Sequence, residues 1–155
     1  MAGEITSAGI KFCYKAESSA GTKPSGLFTE IPDVISLPAM DSAPEALECT
    51  PLSETAWKRY VLGLKDPGSS VDIEANDTSA FRTAWGTMAA AAATAKSGGK
   101  SMWYEIKIPG RDSFYFTGEP ADLGFSGATV NSVQTIHGYI VPNVISGFAA
   151  ASSAG

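Results

Sequence analysis

A chain of 155 residues with 44% apolar content is long enough for one domain to bury its own core, so neither a disulfide nor a structural metal is required. Its net charge of -5, from 16 acidic and 11 basic residues, argues against a protein that grips nucleic acid through phosphates. The longest bland apolar run, Met88 to Ala93, is far too short to cross a bilayer.

The first residues, MAGEITSAG, carry neither the basic start nor the apolar stretch of a secretory signal, so a cytoplasmic site of synthesis is expected. In GIKFCYK, Ile10, Phe12 and Tyr14 alternate with Lys11, Cys13 and Lys15, which predicts a half-buried strand. A weaker strand is expected over Phe28–Leu37, interrupted or placed at an edge by Pro32 and Pro38. Another is expected over Glu45–Thr50. The stretch YVLGLKDPGSS then sets Tyr60, Val61, Leu62 and Leu64 beside the turn Lys65-Asp66-Pro67-Gly68, although connections usually run over the surface and are polar. SVDIEAND alternates again and puts Asp72 and Glu74 on one face.

From Ser79 to Ser97 the period changes. Phe81, Trp85, Met88 and Ala92 recur at helical spacing, with Asp77 or Ser79 to cap the start and Gly98-Gly99 to stop the helix after Lys96. MWYEIKIPGRDSFYF reads as a hairpin folded at Pro109–Asp112. A last β-rich run covers Thr129–Val141, and the small-residue segment 149–155 is expected as a tail, disordered or ordered on assembly, behind a single domain of residues 1–148. Strands around one inserted helix predict a mainly β (α+β) fold, an antiparallel sandwich or barrel with one flanking helix.

No motif carries chemistry. Gly99-Lys100-Ser101 resembles the end of a phosphate loop, but Thr94 stands where the first glycine is needed and the helix precedes the motif instead of following it. Asp72, Glu74, Asn76 and Asp77 lack the glycine and glutamate of a calcium loop, since Asp77 and Thr83 hold those positions. His137, the single histidine, has no accompanying nucleophile elbow or zinc helix and reads as structural. Asn76-Asp77-Thr78 matches a glycosylation acceptor that has no use without secretion. Cys13 and Cys49 lack metal spacing and are expected as free, packed thiols, a disulfide remaining open. No enzymatic activity is expected.

Taken in order, EIPDVISLP, LECTPLSE, GLKDPGSSVDIEAN followed by the helix, and MWYEIKIPGRDSFYFTGEPADLGFSG resemble the major tail tube proteins of long-tailed bacteriophages over nearly the whole chain. GFSGATVNSVQT fits the loop that precedes the closing strand in that family. The resemblance implies a fold similar to type VI secretion tube proteins and a structural role without cofactor, metal or catalysis. Hexameric rings would stack into a tube that encloses the tape measure protein and conducts DNA at ejection. The partners implied are further copies of the chain, the tape measure, tail tip and tail terminator proteins, and DNA in transient, non-specific contact, with no membrane. The place implied is the virion, after assembly in the host cytoplasm. The long connection, a loop or hairpin at about 50–69, would reach a neighbour in the same or the next ring through Trp57, Tyr60, Val61, Leu62, Leu64, Lys65 and Asp66, unless those side chains fold back onto their own core. Glu45, Glu48, Asp72 and Glu74 are candidates to face the lumen, where negative charge would let duplex DNA slide, unless they only solvate an outer face. The alternative is a secreted carbohydrate-binding or adhesin-like β-sandwich without catalysis, with Trp103 and Tyr115 as an exposed aromatic platform across the hairpin.

Overall fold

The computed structural model describes residues 3–41 and 43–153; the end of the predicted tail, Ala154 and Gly155, lies outside them, as do Met1, Ala2 and Ser42. Among the described residues, nine strands and one helix follow in the order β1 (Lys11–Ala16), β2 (Thr29–Ile31), β3 (Val34–Ser36), β4 (Ala46–Glu48), β5 (Tyr60–Leu62), β6 (Val71–Asn76), α1 (Ser79–Ser97), β7 (Met102–Lys107), β8 (Ser113–Pro120) and β9 (Thr135–Ala149). Seven strands form one antiparallel sheet in the order β2-β1-β7-β8-β9-β6-β3. Its two edges, β2 and β3, are joined by only Pro32 and Asp33. Ile31 and Val34 therefore stand at most about 11 Å apart, and the sheet must curl into a nearly closed barrel.

That corner is the break expected at Pro32 within Phe28–Leu37, and it leaves two short edge strands, β2 and β3. Pro32 has no N–H for a ladder, and Asp33 takes the left-handed φ of 65° that a short polar side chain tolerates. Asp33 is held on both sides: its carbonyl accepts from Asn76 N–H at 2.9 Å, and its carboxylate accepts from the Thr78 hydroxyl at 2.6 Å. The helix begins where the stripe predicts, but its cap is Thr78, whose Oγ1 accepts from Phe81 N–H at 3.1 Å; Asp77 instead pairs with Arg82 at 2.6 Å. Gly98 N–H bonds back to the last carbonyls, so the glycine pair acts as a helix stop.

The helix packs its Phe81, Trp85 and Met88 against one face of the sheet, whose core comprises Phe12, Tyr14, Ile31, Ile73, Met102, Tyr104, Phe116, Ile136 and Ile140 among others. The Trp85 ring lies over Gly138 of β9, and its Nε1–H donates to the Ala121 carbonyl at 2.8 Å.

Two further corrections concern β9 and the second face of the sheet. The last strand starts at Thr135 and runs on to Ala149, where the sequence predicts 129–141. Residues 129–134 are loop, and Asn131 has φ 62°. Pro142 does not end β9, because the register with β8 shifts between Thr117 and Gly118; Gly118 lies opposite the proline, and a Cβ there would stand 2.6 Å from the Val141 carbonyl oxygen. The alternation in β7 and β8 predicts a solvated polar face, yet Glu105, Ser113, Tyr115 and Thr117 on it are buried. Phe28 packs there with Cys13 and Tyr115, and Ser152 clips residues 150–153 over the site.

The clip is electrostatic. Glu105 accepts from Ser152 N–H at 3.0 Å, from the Ser152 hydroxyl at 2.6 Å and lies 3.0 Å from the Tyr115 hydroxyl, while Lys107 Nζ donates to the Ser152 carbonyl at 2.9 Å. Burial opposes the charge on Glu105, but these hydrogen bonds outweigh it and hold the carboxyl below its ordinary value of 4.5. A carboxyl lowered on folding contributes stability that is present above 4.5 and lost as pH falls through the lower folded value. Acid titration below pH 4.5 is therefore expected to lower the melting temperature, and Glu105→Gln is expected to flatten that acid limb while lowering stability at neutral pH. An unchanged acid limb in Glu105→Gln would remove Glu105 from this role.

Candidate functional site

The region predicted as a long loop or hairpin is a separate two-stranded sheet that projects from the barrel. β4 pairs with β5 as Ala46–Leu62, Leu47–Val61 and Glu48–Tyr60. Two backbone bonds lengthen the ladder, Cys49 N–H to the Arg59 carbonyl at 2.8 Å and Gly63 N–H to the Glu45 carbonyl at 2.7 Å. The tip is built around Glu54, which sequence reading missed. Its Oε1 accepts from the backbone N–H groups of Thr55, Ala56 and Trp57, and its Oε2 accepts from Arg59 at 2.9 Å. The N–H groups of Ala56 and Trp57, then Arg59, hold this carboxyl below its usual range. An acidic residue three positions before the tryptophan, followed by arginine, was the available signal.

Period two sends Leu47 and Val61 to one face of the hairpin and Tyr60 and Leu62 to the other. Neither face is covered. Leu62 is 74% exposed, Leu64 90% and Trp57 80%. The possibility that these side chains return to their own core is thereby set aside. Two-stranded sheets are marginal in water and need a covered face. Lys65 and Asp66 lie at the base, where with Met40, Pro67, Val144 and Ile145 they line a cleft of about 600 Å³. Asp66 also accepts from Gly68 N–H at 2.9 Å, which forms the turn.

The four acidic candidates divide. Asp72 and Glu74 share the outer face of β6, and His137 of β9 lies between them: Nδ1 is 2.7 Å from Asp72 Oδ1 and Nε2 is 3.4 Å from Glu74 Oε2. The ring stacks on Tyr139. Glu45 and Glu48 belong to the hairpin instead, Glu48 taking a bond from the Thr50 hydroxyl at 3.2 Å. The thiols also divide. Both are free, but Cys13 is buried while Cys49 is exposed on the hairpin, against the expectation that both are packed. Burial pushes the Cys13 thiol up to about 11.

The aromatic platform of the binding-module alternative is absent. Tyr115 is buried beneath Phe28 and Lys23, and Trp103 turns its Nε1–H to Glu17 at 2.8 Å. No group of His, Cys, Asp and Glu with metal-holding geometry occurs among the described residues, and no helix among them is long and apolar enough to cross a membrane.

No protein-family model matches the chain, and no curated protein does. Among solved structures, the chain is similar to a chain in the cryo-EM structure of the anti-feeding prophage baseplate, 6-fold symmetrised. The similarity covers 94% of this chain and 95% of that one, with a TM-score of 0.55 and 9% identity. Both chains share one fold over nearly their whole length, the barrel with its flanking helix.

Proposed function

We propose that this chain is a structural, non-catalytic component of a phage-type particle, the subunit of a tail tube. Copies associate into hexameric rings, and the rings stack into a hollow conduit that encloses a tape measure protein and later passes DNA. The observation that carries the reading is the hairpin, a two-stranded sheet with large apolar side chains on both faces and no layer of the described residues over either. Such a surface is an interface awaiting a partner. The fold shared with a chain of a 6-fold symmetrised prophage baseplate supports a further copy as that partner. Light scattering and negative-stain microscopy over a concentration series test it. Rings or tubes are expected; a monomer at every concentration overturns the proposal.

Within the tube, the Asp72–His137–Glu74 face of the barrel lines the lumen, with the histidine ring standing between the two carboxylates. Replacing both acids by lysine is expected to leave assembly intact and to slow DNA passage, since a basic lumen binds phosphate. Particles that eject at the normal rate would remove this face from the lumen.

A further inference from the structure

Residues 150–153 leave β9 and cross the outer face of β8 and β7 without joining the sheet. The bonds that hold them are polar. The Tyr115 hydroxyl donates to the Ala150 carbonyl at 2.7 Å. Glu105 takes both the N–H and the hydroxyl of Ser152, Lys107 Nζ donates to the Ser152 carbonyl, and Phe28 N–H donates to its Oγ at 3.3 Å. Ala150, Ala151 and Ser153 are exposed and Ser152 is half-buried, so the segment drives no large apolar side chain into the protein.

The receiving side is built without this segment. Glu105 and Tyr115 are direct partners in the β7–β8 ladder, Glu105 is also the partner of Cys13 in β1, and Lys107 follows two residues along β7 on the same face. The ladder alone therefore sets the spacing of carboxylate, phenol and ammonium. A fully buried carboxylate is a costly way to fasten a fold. Opposite charges placed to meet the N–H and the C=O of one residue are, by contrast, what recognition of a peptide backbone needs. Beside the segment the groove continues as a cleft of about 430 Å³, walled by Lys23, Gly26, Phe28 and Tyr115.

We infer that this face is a peptide-binding site whose ligand is a short run of small residues with one serine, and that residues 150–153 are a tethered copy of that ligand. Ser152 supplies the recognised N–H, hydroxyl and carbonyl, and Ala150 supplies the carbonyl that meets Tyr115. A second copy of the chain carries the same segment and is the partner the site fits. The site belongs to other strands than the projecting hairpin and works in a single chain as in a ring.

A synthetic peptide supplied from outside tests the site. On its tether the native segment acts at an effective concentration on the order of millimolar, so it must first be displaced. Ser152→Asp in the full chain sets a carboxylate against Glu105 and is expected to empty the site with the sheet intact. The probe is the capped peptide Ala-Ala-Ala-Ser-Ser, the sequence of residues 149–153, titrated into the isotope-labelled variant while amide chemical shifts are followed. The expected result is saturable shifts centred on Phe28, Glu105, Lys107 and Tyr115, and none in the unmodified chain, whose own segment fills the site. Alanine in place of the first serine of the peptide is expected to weaken binding at least about tenfold. Shifts that are equal in the unmodified chain, that map elsewhere or that ignore the serine overturn the assignment, as does the absence of saturable shifts. If Ser152→Asp does not fold, Ser152→Gly takes its place. A chain that neither variant leaves folded shows residues 150–153 to be part of the fold and not a ligand.

Discussion

Leu62→Asp is expected to give a folded, soluble monomer that no longer self-associates. The side chain is on β5, whose neighbour in the sheet is β4 alone, and three-quarters of it already faces solvent. A surface change of this kind shifts stability by about 0.5 kcal/mol or less, so the melting temperature should hold. Association is a different matter. Copies covering this face would have to bury an unpaired carboxylate, at a cost of several kcal/mol. A loss of about 3 kcal/mol already lowers an association constant by roughly a hundredfold. Thermal melting with sedimentation velocity separates the two quantities. A variant that melts far lower would return Leu62 to a folding role, and one that assembles normally would remove the hairpin from the interface.

Gly138→Ala attacks the barrel itself. A Cβ at this position would lie 2.4 Å from Trp85 Cη2 and 2.5 Å from Cζ3. The indole cannot retreat easily, because its N–H is engaged at Ala121, Phe81 packs against it and the ring is 1% exposed. The expected cost is about 3 kcal/mol, the upper end for overpacking, which lowers Tm on the order of 10 °C in a chain of this size. A smaller residue at 85 makes room for the methyl group. The double variant Trp85→Leu/Gly138→Ala is therefore expected to lose clearly less stability than the two single variants together, as direct neighbours couple. Strict additivity in denaturant titrations would refute the contact.

What the sequence reveals depends on how local the determining physics is. The helix is legible to the residue, because its stripe, the stop at Gly98-Gly99 and the last-turn lysine all act within a few positions. The β7–β8 hairpin is legible for the same reason. The apolar run Tyr60–Leu64 is visible in the sequence, but whether it packs on its own core depends on the path of the chain, and the fold leaves it exposed. Other features depend on distant partners. The break in Phe28–Leu37 is legible from its prolines, but that the two halves serve opposite edges of the sheet is not. Glu105 and Tyr115 look solvated until Phe28 and Ser152 close over them from far along the chain. Residues 142–148 fall beyond the predicted end of the last strand at Val141, because proline and glycine hide a strand that only the bulged register with β8 supports. The 121–134 loop gives no periodic signal, and the exposure of its Phe125, Val130 and Val133 is visible only in the fold.

The pairing of Lys11 with Lys107 has a consequence for how the protein is made. β1 sits between β2 and β7, so its larger partner strand does not exist until two-thirds of the chain has left the ribosome. Until then the nascent chain holds a short β1–β2 ribbon in which the β1 edge meant for β7 is naked, together with a greasy hairpin that forms early from nearby residues. Non-local pairings of this kind fold slowly and expose sticky intermediates. Premature contact between nascent copies is therefore the hazard this topology creates, and slowing translation at lower temperature is the remedy it recommends for producing the chain.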